Sequence, residues 1–164
     1  MSDLETSASV MINAPVERVW EALTVPEQIK QWFFGVDTES DWKAGSALIH
    51  RGEWKGKPYV DKGEILRIEA PTLLVHTHWS EISGLPDEPQ NYQEVTWALA
   101  GGDDSTRLTI TERNLPSEEA KDASEEGWRI ALTGLKEMLE GQRREERSEG
   151  DARRPTARRE IRAP

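Results

Sequence analysis

The chain has 164 residues, 35% hydrophobic and 32% charged, with a formal net charge of −10 and a pI near 4.9. That length suits one domain with a real core or an internal cavity, and the acidic balance argues against a nucleic-acid partner or an anionic bilayer surface. Cysteine is absent, which excludes disulfides, thiolate nucleophiles and cysteine-held zinc or iron–sulfur centres. No run approaches the roughly 20 apolar residues of a bilayer span, and no basic-then-apolar leader opens the sequence, so a cytoplasmic protein without membrane insertion is expected.

Residues Leu4 to Ile12 alternate, with Thr6, Ala8, Val10 and Ile12 on one side, which predicts a first strand with one buried face. Two short helices follow, each opened by a proline, Pro15 and Pro26, at a position where a missing N–H costs nothing. Val16, Val19, Trp20 and Leu23 form the apolar stripe of the first; Ile29, Trp32 and Phe33 form that of the second. Such short helices need a wide surface to cover them. Asp41 to Ser46 has turn chemistry, Ala47 to Glu53 reads as a strand, and Trp54 to Pro58 connects it to a strand over Tyr59 to Ile68. Another strand spans Leu73 to Ser80. The Pro- and Gly-bearing stretch Glu81 to Tyr92 reads as a loop, and Gln93 to Ala100 and Ser105 to Arg113 form a hairpin about Gly101-Gly102-Asp103-Asp104.

From Ser117 the period becomes helical. Ser117 offers a cap, and Ala120, Ala123, Gly127, Trp128, Ala131, Leu132, Leu135, Met138 and Leu139 make one face up to a stop at Gly141. The predicted architecture is α+β: a curved antiparallel sheet wrapped around a long C-terminal helix, with two short helices after strand one. The domain spans 1–140. Residues 141–164 carry eight Arg against five Asp or Glu, a charge of +3 that leaves −13 on the body. This segment is expected to be a charged, disordered tail or a weak clamp on the acidic body.

Ala14-Pro15-Val16-Glu17-Arg18-Val19-Trp20-Glu21-Ala22-Leu23-Thr24, followed by Pro26-Glu27-x-Ile29-x-x-Trp32-Phe33, resembles the opening of START-like, helix-grip domains. The similarity is closest to the subfamily of the activator of heat-shock-protein-90 ATPase, within the polyketide cyclase and lipid-transport superfamily. Asp41-Trp42-x-x-Gly45, Gly63-Glu64-Ile65-Leu66-x-Ile68-x-x-Pro71, Asn91-Tyr92-x-x-Val95-Thr96-Trp97 and Gly127-Trp128 extend the resemblance over about residues 4 to 140. It implies a helix-grip fold with a cavity between sheet and C-terminal helix. The superfamily holds lipid carriers, cyclases, hormone receptors and co-chaperone-like proteins, so the fold alone leaves function open.

Taking the more apolar parity of each strand lines that cavity with Trp79, Trp97, Leu108 and Ile110, joined by Trp128, Ala131, Leu132 and Leu135 from the helix. Packing in an ordinary core is the alternative role for each tryptophan. Glu112 shares the inward parity and is a candidate polar contact or general acid–base; at the strand end it could instead reach water, Arg113 or Arg67. His76 and His78, two apart, share the opposite face, where exposed histidines are common; with His50 they would be imaginable metal ligands. If the parity is inverted, both enter the cavity. No nucleophile motif, phosphate loop or His-Glu-x-x-His is present, and no catalytic, cofactor-binding or metal-ligating residue is assigned. Three functions follow in order: binding of a small hydrophobic or amphipathic molecule gated by the 81–92 loop, regulation of a chaperone ATPase, and cyclase, dehydratase or hydrolase chemistry. The helix pair is expected to plug the end of the sheet and take no part in the chemistry.

Overall fold

The computed structural model describes residues 2–152, with side chains through residue 146. Seven antiparallel strands lie in the order β1-β7-β6-β5-β4-β3-β2: β1 (Glu5–Ile12), β2 (Asp37–Ser40), β3 (Ala47–Trp54), β4 (Lys57–Glu69), β5 (Leu73–Ser80), β6 (Gln93–Gly101) and β7 (Thr106–Arg113). Helices α1 (Val16–Thr24) and α2 (Pro26–Trp32) separate β1 from β2, and α3 (Glu118–Ala152) follows β7. This is the helix-grip arrangement: α3 packs across the concave face and the short helices close one end. The four-residue β2 escapes the sequence reading because Asp37-Thr38-Glu39-Ser40 offers too little apolar alternation.

The local chemistry explains the element ends. Pro15 adopts φ −60 and ψ 151 and stands at the N-cap of α1, one residue before the expected helical position. Its helix has no side-chain cap; instead the Val16 N–H donates to the Gly102 carbonyl in the β6–β7 turn, at 3.1 Å. An orphan helix donor is thereby satisfied by a distant loop. Pro26 does occupy the first turn of α2. Ser117 Oγ accepts from the Ala120 N–H at 3.1 Å and caps α3. The β3–β4 hairpin turns through Lys55 and Gly56, both at positive φ, as a two-residue turn matched to strand twist requires.

The core joins Ile12, Val19, Leu48, Ile65, Leu74, Val95, Trp97, Leu108, Ile110, Leu132 and Leu135. Leu108, Ile110, Ala131, Leu132 and Leu135 are all buried here. On β5 the expected parity is inverted. Leu74 and His76 are buried against the core, while Trp79 stands on the outer face, its ring stacked on Tyr92 with centroids 6.4 Å apart and its Nε1–H on the Leu85 carbonyl. Both faces of β5 are covered, the outer one by the 81–92 segment, so hydropathy could not choose between them. That segment contains two 3-10 turns, Glu81–Ser83 and Pro89–Asn91.

The second correction concerns Gly141, where α3 does not stop. Arg143 donates to the carbonyls of Asn13 and Asp104, at 3.0 and 2.7 Å, and Arg18 reaches Gln142 and Glu146, at 2.9 and 2.7 Å. These bonds tie the helix to α1 and the β6–β7 turn past the composition break at 140/141, and α3 runs to Ala152. Residues 153–164 of the expected tail lie outside the described residues. Gly141 is therefore a helix-interior glycine, and an added Cβ would meet nothing closer than Arg144 Nη2 at 3.9 Å. Gly141→Ala should raise stability in urea by about 0.5–1 kcal/mol; a loss would mean that the chain turns out of the helix at this residue.

Candidate functional site

A hollow of about 30 Å³ lies between the concave face, α2 and α3. From the helices it is lined by Leu23, Ile29, Trp32, Phe33 and Trp128, and from the sheet and the β2–β3 connection by Trp42, Leu48, His50, Leu74, His76, His78 and Trp97. A buried water needs roughly 10–15 Å³, so the space admits one or two waters and no larger guest without movement. Its lining contains no Lys, Arg, Asp or Glu.

Polar anchors fix the aromatic walls. Trp32 Nε1–H donates to the Ala22 carbonyl at 2.8 Å, Trp97 Nε1–H to His76 Nε2 at 3.0 Å, and Trp128 Nε1–H to Glu112 Oε1 at 2.9 Å. Trp97 meets Trp128 edge-on, with centroids 5.3 Å apart and planes at 87°, and meets Trp32 in the same manner at 6.1 Å. Phe33 lies parallel to Trp128, at 5.8 Å and 8°. These geometries are the favoured aromatic ones. Beside Phe33, Phe34 is 58% exposed at φ 53, a conformation in which bulky residues are uncommon. Phe33 thus stands where the lining of the hollow meets the exposed Phe34.

The histidines enter this wall through the inverted parity of β5. His76 is completely spoken for: its Nδ1 faces the Thr77 carbonyl at 2.9 Å, which can only accept, so Nδ1 carries the proton and Nε2 receives the Trp97 indole. Burial pushes the His76 ring down to about 4, opposed by the Thr77 bond. His50, bonded through Nδ1 to Thr38 Oγ1 at 2.8 Å, is pushed down to about 3, first by burial and then by the neighbouring His76 and His78. Among the described residues no His, Cys, Asp or Glu group has a metal-holding arrangement, and with both nitrogens engaged His76 has none for a metal.

Of the residues singled out from sequence, Trp97 and Trp128 line the hollow, whereas Leu108, Ile110, Ala131, Leu132 and Leu135 belong to the closed core beneath it. Trp79 is on the far side of the sheet. Glu112 faces inward and is 4% exposed; it bonds Trp128, while Arg113 pairs with Glu5 and Arg67 with Glu69. No residue of the 81–92 loop lines the hollow, so that loop is no gate to it. Trp32 and Phe33, expected only to plug the sheet, supply its wall. One sequence signal pointed there: Leu48 and His50 share parity on β3, which puts a histidine on the core face.

These features define an α+β helix-grip domain whose interior ends in a small aromatic hollow. The chain belongs to the Activator of Hsp90 ATPase homolog 1-like family, whose model matches residues 13–140. ChR145 from Cytophaga hutchinsonii is 42% identical, with a TM-score of 0.74 over 85% of this chain and 96% of that one. CalU16 from Micromonospora echinospora is 28% identical, with a TM-score of 0.62 over 80% and 73%. The Aha1 protein of Colwellia psychrerythraea, solved as a dimer, shares the fold at 17% identity and a TM-score of 0.66, over 83% and 96%. No curated protein matches the sequence. Among the described residues, no helix is long and apolar enough to cross a membrane.

Two outcomes follow from the anchors. Trp97→Phe leaves His76 Nε2 buried without its donor and should cost about 1–3 kcal/mol of stability, measured by urea unfolding. An unfolded chain protonates its histidines near 6.5, whereas folded His76 and His50 resist protonation until about 4 and about 3. Between those values the unfolded state binds more protons, so this contribution is complete above 6.5 and is lost as the pH falls toward 4. Urea midpoints across that interval should decline steadily in wild type and less steeply in His76→Gln; equal slopes would contradict the assignment.

Proposed function

We propose that this protein binds a small, largely apolar molecule in the hollow, and that the Phe33–Trp128 pair separates to admit it. The observation that supports this most is the concentration of five aromatic side chains and three imidazoles around one space, next to the exposed Phe34. Apolar walls with a few placed polar groups are the usual make-up of ligand sites. The 30 Å³ hollow is too small for a bound lipid, so on this reading α2 moves away from α3 to admit a ligand.

Tryptophan fluorescence reads this directly. The neutral quencher 4-nitrobenzyl alcohol should quench wild-type emission saturably, and Trp128→Ala should weaken its binding at least tenfold. Quenching that stays linear with concentration in both proteins would overturn the reading.

The small interior also favours a second reading, action through the surface as a chaperone ATPase regulator, which is what the family description names. Addition of the protein to purified Hsp90 should then raise ATP hydrolysis; an unchanged rate across a stoichiometric titration would remove this reading.

A further inference from the structure

Beside the hollow, a row of polar side chains crosses four strands. Thr38 on β2, His50 on β3, Asp61 on β4 and Ser80 on β5 are successive register partners, so they share one face, and His50 places that face on the hollow. Thr38 Oγ1 bonds His50 Nδ1 at 2.8 Å, and Ser80 Oγ donates to Asp61 Oδ1 at 2.5 Å. The other carboxylate oxygen, Asp61 Oδ2, lies 3.9 Å from Nε2 of His78, which also lines the hollow. One residue further along β4, Lys62 points to the opposite face, where it pairs with Asp87 over Trp79.

Asp61 is thus a carboxylate only 15% exposed, with no Lys or Arg partner among the described residues. Burial holds its carboxyl above the usual range; nearby Glu81 acts in the same direction, against His78 and Ser80. A buried carboxylate without a cation is costly unless something cationic visits it. The adjoining walls are suited to such a visitor. Indole and phenyl faces attract ammonium groups, the lining carries no Lys or Arg, and the neutral rings of His50 and His76 add no positive charge. The net charge of −10 draws cations toward the protein as a whole.

We propose that the Thr38–His50–Asp61–Ser80 row receives the ammonium group of an amphipathic amine whose apolar part lies among Phe33, Trp97 and Trp128. This rests on the ligand-binding reading and names the chemistry it selects. Asp61 supplies the charge, the His50 ring and His78 border the head group, and the aromatic rings take the body. An anionic ligand of the same shape meets a carboxylate and no compensating cation.

Calorimetric titration of the full chain at pH 7 with three probes of similar size separates the claims. 2-Phenylethylamine should bind at least tenfold more tightly than 2-phenylethanol, and 3-phenylpropanoate should bind most weakly. Asp61→Asn, close in shape, should weaken the amine at least tenfold and abolish its preference over the alcohol. Trp128→Ala, on α3 and outside the row, should weaken amine and alcohol alike. If the alcohol or the carboxylate binds as well as the amine, or Asp61→Asn retains the preference, the amine inference falls and the ligand site stands. If none of the three binds, both fall.

Discussion

A tryptophan buried for its area brings an N–H that must find an acceptor, and in this domain three such donors set the interior. Ala22, His76 and Glu112 provide the acceptors for Trp32, Trp97 and Trp128. Each comes from a different element, α1, β5 and β7, so the bonds fix the rings relative to helix and sheet together. The edge-on contacts among the three indoles follow from those bonds, and the parallel Phe33–Trp128 pair is the outermost consequence. The acceptors are chosen without waste. His76 is neutral because its environment excludes charge, and its tautomer is dictated by a carbonyl it cannot displace.

That anchoring explains why the interior is so nearly full. Rings held in favoured geometries pack to leave only about 30 Å³, and a larger opening must come from the side that is anchored least. Phe33 has no polar tether, and Phe34 beside it is exposed at positive φ. Trp97 and Trp128 are tied to the sheet through His76 and Glu112, whereas the Phe33 side chain is held by ring packing alone.

The order of elements was legible because alternation and helical period were strong over β1, β6, β7 and α3. It failed where two physical situations look alike in sequence. Leu73, Val75, Thr77 and Trp79 form the more apolar set on β5, yet they lie outward under Tyr92 and Leu85, and the inner set gives up apolar area to place His76 beneath Trp97. A hydrogen-bond requirement outweighed hydropathy, and a single strand cannot reveal that. Gly141 read as a helix end, but Arg143 and Arg18 carry the helix onward through contacts more than a hundred residues apart in sequence. Glu112 was readable as inward-facing and not as the partner of Trp128, because side-chain pairs across elements leave no periodic trace. The Thr38–His50–Asp61–Ser80 row was hidden for the same reason: it exists only in the register of four strands.

The central claim is that the anchored aromatic wall is the face a ligand meets. The ¹⁵N-indole spectrum of the seven tryptophans, followed during titration with 2-phenylethanol, tests it most directly. The account predicts saturable shifts of the Trp97 and Trp128 signals, with Trp54 at the hairpin tip and Trp79 on the outer face unmoved. Shifts confined to Trp54 or Trp79, or none at any tryptophan, would contradict it.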